Sequence, residues 1–204
     1  EDEDEIWISV TRTINNSTVT YIEQMQPRAF GTQQNAYFVD SGVSYSVPAT
    51  TSFSGLDHLE REVVVILGDS AVRPQKTVIS GAITTDEEAS VAVIGLPYEY
   101  KVKPMRIDMG NATGTSKGSI KKIAEIAVSF LNSLNAWYGD GIDDYTFDWR
   151  TEEVLTSPPE LFTGDKVVVL DAGFNTEDPI TISGSDPLPC TVRAIIARTD
   201  KTGR

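Results

Sequence analysis

Hydrophobic and polar positions along most of this chain alternate with period two, the signature of half-buried strands. Ile6-Trp-Ile-Ser-Val-Thr-Arg-Thr-Ile14 and Ser17-Thr-Val-Thr-Tyr-Ile-Glu-Gln-Met25 are rich in β-branched and aromatic residues, which fit a pleated, half-buried surface. Asn15-Asn16 lies between them. Asparagine tolerates the positive φ of a two-residue hairpin turn, so the pair predicts a hairpin, ended by Pro27. Tyr37-Phe-Val39 and Thr50–Ser54 predict two short strands, with a turn at Ser41-Gly42. Residues 55–60 predict a loop or a single turn.

The segments Glu62–Leu67, Lys76–Ile79, Ala82–Thr84 and Ser90–Ile94 predict four further strands. Gly68-Asp69, Arg73-Pro74, Ser80-Gly81 and a charged turn at Asp86-Glu-Glu88 divide them. Tightly spaced strands of this kind describe a small barrel or curled sheet. Residues 98–102 lead out of it as an extended piece. Between Lys117 and Trp137 two patterns overlap. Ile120, Ile123, Ala124, Ala127, Phe130, Leu131 and Leu134 fall on a helical stripe that Ser119 would cap. Ile126-Ala-Val-Ser-Phe130 also alternates as a strand, yet propensity and periodicity alone favour the helix.

Further on, Tyr145–Trp149 alternates, and Ser157-Pro-Pro159 is a stiff corner. Lys166–Leu170, Pro179–Ser183 and Thr191–Ala197 predict strands, the last entered through Asp186-Pro-Leu-Pro189. The expected fold is mainly β: a small β-barrel-like module, residues 55–102, inserted in or packed on a larger antiparallel β framework made of 1–54 with 103–204. The hairpin at 7–25 is too small to stand alone, so distal strands, 191–197 among them, are expected to complete its sheet.

Charge narrows the partners. The 204 residues carry 17 basic and 30 acidic side chains, a formal charge of −13. Such a chain gains nothing from the counterion release that drives phosphate binding, so specific nucleic-acid binding is not expected. An acidic wall that DNA slides past without sticking is compatible with this charge. Residues 136–190 hold 12 acids against Arg150 and Lys166. Asp140, Asp143, Asp144, Glu152 and Glu153 are therefore the candidates for an assembly or lumen surface. No apolar run reaches the 18 or so residues of a membrane helix. The chain opens on Glu1, and reads as a piece of a longer protein with an acidic linker remnant at its start.

Catalytic patterns are weak. His58 is the single histidine and shows no nucleophile beside it, which leaves a histidine-based triad without its parts. Cys190 is the single cysteine, excluding an internal disulfide and a cysteine-rich zinc site. Asp140-Gly-Ile-Asp-Asp144 offers oxygen ligands on a turn, but without the full calcium-loop pattern. Ser119-Ile-Lys-Lys122 and Lys201-Thr-Gly203 match fragments of serine β-lactamases whose third element, Ser-Asp-Asn, is absent. No catalytic, cofactor or metal site is expected. Tyr37, Tyr45, Trp137, Tyr138 and Trp149 are candidate stacking faces for the alternative function, a carbohydrate- or receptor-binding β module.

Several short pieces, taken in order, resemble a known family. They are the hairpin Trp7–Met25; Tyr37-Phe-Val-Asp-Ser-Gly42; Ser54-Gly-Leu-Asp-His-Leu-Glu60 followed by Val63–Gly68 and Val72-Arg-Pro74; Gly95-Leu-Pro-Tyr98; Lys103-Pro-Met105; Leu161–Lys166; and Asp186-Pro-Leu-Pro189. Together they resemble bacteriophage and prophage tail structural proteins of the short-tail nozzle, tail tubular or packaged-DNA stabilisation type. Glu62 and Ile66 depart from the family's smaller residues. The resemblance implies a C-terminal or internal fragment of a non-enzymatic virion protein, made in the host cytoplasm. It implies rings or tubes at the head-to-tail junction with DNA in the lumen. It also implies that Ile123–Asn132 is a strand.

Overall fold

A computed structural model describes residues 5–26, 29–108, 120–141, 143–150, 157–170, 173–174, 176 and 180–201. Among these, regular structure is antiparallel strand apart from the one-turn 3-10 helices Gln33–Asn35 and Asp57–Leu59. The chain forms two compact units, one of Glu1–Tyr98 with Asp186–Leu188, the other of Glu99–Ser185 with Pro189–Arg204.

Unit 1 opens with the expected hairpin. β1 (Ile6–Ile14) pairs with β2 (Ser17–Met25) in continuous register from Ile6 with Met25 to Ile14 with Ser17. Asn15 and Asn16 take φ values of 48° and 63°, the left-handed conformation that their side chains tolerate. The rest is a four-stranded sheet in the order β3 (Asp40–Ser54), β6 (Ala82–Leu96), β4 (Val63–Gly68), β5 (Ala71–Thr77). Its core gathers Phe53, Leu56, Leu59, Val64, Ile66, Val78, Ile83 and Ile94.

Several expectations are corrected here. The charged turn at Asp86-Glu-Glu88 is continuous strand within β6. The additional residues between Thr84 and Ala89 are absorbed as a bulge against β3, where Thr85 donates its hydroxyl to the carbonyls of Thr51 and Glu87. Lys76 pairs with Asp86 at 2.8 Å and Arg73 pairs with Glu87, so acids that read as a turn are held by basic residues of β5. Pro74, read as part of a turn, lies inside β5, and Pro48 lies inside β3. Both strands are edges of the sheet, where a missing N–H faces no neighbour.

Domain boundaries shift for the same reason. β3 runs hydrogen-bonded along β6 from Asp40 to Ser54, so 40–54 share a sheet with 63–96 rather than an outer framework. Residues 100–102 go the other way, as β7 (Tyr100–Val102) of unit 2.

In unit 2, β8 (Lys121–Ser133) covers the segment with two patterns, and it is strand. β9 (Trp137–Gly139), β10 (Asp144–Thr146) and β12 (Thr181–Gly184) join β7 in the order β10-β9-β12-β7. β11 (Phe162–Val169) and β13 (Val192–Lys201) flank β8. β13 thus pairs with β8 and not with the hairpin of unit 1, correcting the expected completion of that sheet. β8 alternates inward Ile126, Val128 and Phe130 with outward positions, and its inner face joins Phe147, Leu170, Ile180 and Ile182 in the core. The helical stripe fails because Ala127 and Leu131 point away from that core.

Candidate functional site

The acidic residues named from sequence are only partly brought together. Asp140, Asp143 and Asp144 sit on the loop and first residue of the β9–β10 hairpin. The Asp143 N–H donates to the Asp140 carboxylate at 3.0 Å, an Asx-type closure of the loop. Asp144 accepts the Ser183 hydroxyl at 3.1 Å and the Thr181 hydroxyl at 3.5 Å, tying the hairpin to β12. Gly139 is required at this point, because a Cβ there would collide with the Asp143 carbonyl and the Asp144 carboxylate. Asp143 and Asp144 are exposed. Glu152 and Glu153 lie outside the described residues. Among the described residues, no group of three or more His, Cys, Asp or Glu side chains is placed to hold a metal ion.

The five candidate stacking aromatics scatter. Tyr45 packs on Phe53 at 5.2 Å between ring centroids and donates its hydroxyl to the Ser54 carbonyl. Burial pushes its phenol pKa upward. Tyr138 and Trp149 pack in the core of unit 2, each against Phe147, at 4.9 Å and 5.6 Å. Trp137 is half-buried in β9. Tyr37 differs, for it lines a cleft of unit 1.

That cleft has a volume of about 1210 Å³ and is bordered by the hairpin and by residues from Phe30 to Val43, with Tyr21, Tyr37, His58 and Tyr98 on its walls. A polar cluster joins the hairpin to the start of β3. Arg12 donates to Glu23 at 2.6 Å and to the Ser41 hydroxyl, and Ser41 donates to the other Glu23 oxygen at 3.1 Å. The Arg12 guanidinium lies 5.9 Å from the Tyr21 ring centre, and Tyr21 meets His58 edge-on at 5.7 Å.

A serine, a histidine and a carboxylate are therefore neighbours, although sequence reading found no partner for His58. The contacts do not suit nucleophilic catalysis. His58 Nε2 lies 2.9 Å from the Ser41 carbonyl oxygen, which only accepts. The Ser41 hydroxyl is turned instead to Arg12 and Glu23. A general base must reach the proton it removes, and this imidazole nitrogen is committed to the backbone. The cluster acts as a clasp. Its sequence signal was partial: counting from the Asn15-Asn16 turn puts Arg12 and Glu23 on one hairpin face, but no spacing rule reaches Ser41. Comparison with protein-family models and with curated proteins gives no match.

Proposed function

We propose that this chain is a structural component of a phage tail or head–tail junction, acting through protein–protein assembly around the DNA channel. The observation that carries the reading is the apolar surface of the hairpin. Ile6, Ile8 and Met25 are exposed on one face of its open end, and Trp7 and Ile22 on the other, on a two-stranded ribbon whose outer edges pair with no other described strand. Isolated hairpins are marginal in water, and contiguous exposed apolar surface marks an interaction site. The order of the family-like segments supports the same reading, as does the net charge of −13.

In this reading the partners are further copies in a ring and other virion proteins. DNA passes the lumen without specific contact, and no membrane is involved. The four-stranded sheet of unit 1, open at β3 and β5, stands where the barrel-like module of residues 55–102 was expected. Exposed Asp143 and Asp144, with Asp140, Glu152 and Glu153, face the lumen or a subunit contact, where negative charge keeps DNA from being trapped. The protein resides in the virion tail after assembly in the host cytoplasm. Electron microscopy of the full-length protein or parent particle tests this. A ring or tube is expected, with residues 140–153 on its channel or between copies. A protein absent from particles, or a ring with that segment on its outer wall, overturns the corresponding part.

A second reading, a carbohydrate- or receptor-binding β module, draws on the unit 1 cleft, where the rings of Tyr21, Tyr37 and Tyr98 stand beside polar groups. Binding on a glycan array that Tyr37→Ala removes would favour it. Silence on a broad array would leave assembly alone.

A further inference from the structure

The β11–β8–β13 sheet has one face on the core of unit 2 and one face on which no described strand packs, and we propose that this open face docks a second copy of this chain. The registers of β11 and β13 on β8 define that face as three rows. Val169, Glu125 and Arg198 form the first; Val167, Ala127 and Ile196 the second; Asp165, Ser129 and Ala194 the third. Val167, Val169 and Ile196 are 60%, 71% and 61% exposed, well beyond what a β-branched side chain on a covered sheet shows. Ala127 and Ser129 at the centre leave the face flat, so another sheet can approach closely.

Charge selects a second copy as the occupant. Asp165 and Arg198 lie at opposite corners of the patch, both exposed. Consider two such faces packed about a two-fold axis lying in the interface. An axis along the strands sets Glu125 against itself. An axis perpendicular to the strands sets Asp165 over Val169 and Arg198 over Ala194. An axis crossing the line from Asp165 to Arg198 at right angles sets Asp165 of each copy on Arg198 of the partner subunit. It forms that ion pair twice, and places Ala127 against itself at the centre. The strands then cross steeply, near the orthogonal class of sheet packing. Of the three axes this one alone pairs unlike charges, and it lays Glu125 over Val167 of the partner subunit.

The face measures on the order of 300 Å² from strand spacing and rise, well below the ~800 Å² per partner of a stable interface. The dimer is accordingly weak, with a dissociation constant on the order of 100 µM. This contact goes beyond the ring reading. A two-fold contact closes on a pair and cannot make a ring, which needs a head-to-tail contact elsewhere, so either can fail while the other stands.

Sedimentation velocity on the 204-residue chain, from about 5 to about 500 µM, tests it. The wild type shifts from monomer to dimer across that range. Val167→Lys and Ile196→Lys remain monomeric, with circular dichroism confirming the fold. Asp165→Arg and Arg198→Asp each weaken the dimer about tenfold, and the double swap restores it. The swap guards against misreading a lysine variant that fails to fold. A wild type that stays monomeric throughout, a dimer that survives Ile196→Lys, or a swap without recovery overturns the proposal. Rings of the full-length protein that persist in Val167→Lys while the two-fold dimer is lost would support two separate contacts, and rings lost together with the dimer would overturn that separation.

Discussion

The two units build cores of different chemistry from strands of different sequence separation. Unit 1 packs a buried core that is aliphatic apart from Phe53, drawn from the end of β3, Leu56, Leu59, β4, Val78 and β6, all between Phe53 and Ile94. Unit 2 packs aromatic rings. Phe130 touches Phe147 and Trp149, both at 5.0 Å, and Trp149 reaches Phe162 at 6.2 Å. Its strands come from afar, with β7 at residues 100–102 pairing with β12 at 181–184. Local pairing closes short loops at low entropic cost, whereas distant pairing must be supported by packing, and large rings bury much surface per residue. The comparison teaches that unit 2 depends on a few ring contacts where unit 1 spreads the same task over many methyl groups.

The sharpest way to break this comparison is truncation at each centre. Phe130→Ala is expected to cost about 3–5 kcal/mol, because it removes the ring on which two others lean; Ile66→Ala is expected to cost about 2–4 kcal/mol. Urea unfolding gives the totals, and hydrogen exchange on peptides of β8, β11 and β13 localises the first effect. An Ile66→Ala loss equal to or larger than that of Phe130→Ala would remove the claim that unit 2 concentrates its stability in rings.

A second, smaller contrast lies in how carboxylates tie strands. In unit 1, Asp69 sits in the β4–β5 turn with φ 48° and accepts N–H groups of Ser90 and Val91 at 3.0–3.2 Å. In unit 2, exposed Asp144 accepts, among the described residues, the hydroxyls of Thr181 and Ser183. A backbone N–H left without a partner keeps its whole desolvation cost, while a hydroxyl can rotate to another acceptor. Asp69→Ala is therefore expected to cost about 1–3 kcal/mol, and Asp144→Ala about 1 kcal/mol or less. Equal losses in thermal unfolding would erase the distinction.

Legibility follows the same division. The hairpin could be read from Asn15-Asn16 and its alternating flanks, because everything that fixes it is local. The strands near 63–67 and 90–94 were readable from continuous apolar runs, and Val64–Leu67 and Ala92–Ile94 are indeed buried. What failed was continuity and pairing. Pro74 and Asp86–Glu88 carry break signals whose cost vanishes at an edge or a bulge, and edge position is a property of the whole sheet. β8 was legible only with the resemblance, since its composition suits a helix and its burial alternates as a strand. Of the candidate surface, composition exposed the acidic bias but not the anchoring of Asp144 by Thr181 and Ser183, which lie nearly forty residues away in sequence.

Titration sharpens the comparison with little change in total stability. Burial raises the pKa of Asp186, in the segment Asp186–Leu188 that belongs to unit 1. A folded pKa above the unfolded one means that the folded state holds its proton more tightly. The contribution of this group is present in full below the ordinary aspartate pKa and declines as pH rises through the raised folded value. The wild type should therefore lose thermal stability relative to Asp186→Asn as pH climbs through that window. Melting temperatures of both proteins between about pH 3 and pH 7 decide it, and a difference that moves the other way would remove the burial argument.

Unit 2 offers the smallest and most local test, at Cys190. The thiol follows the Pro189 carbonyl, which accepts the N–H of Leu134 at 2.9 Å and so ties this segment to the end of β8. Burial pushes the Cys190 pKa up, and a hydrogen bond with Tyr100 of β7 pulls it partly back. The Tyr100 hydroxyl is itself fixed at 2.5 Å from the Asn135 carbonyl oxygen. Only the thiolate is nucleophilic, so the pH at which alkylation becomes fast reports the thiol pKa. In the folded chain, the midpoint of the iodoacetamide rate against pH should lie above that of the urea-unfolded chain. Tyr100→Phe should move it higher still, because the hydroxyl that can turn from the Asn135 carbonyl to donate to the thiolate is gone while burial stays. A uniform slowing with an unchanged midpoint would mean that access alone limits the reaction. A midpoint that Tyr100→Phe leaves in place would show that β7 does not reach Cys190, and would cut one of the long-range ties by which unit 2 differs from unit 1.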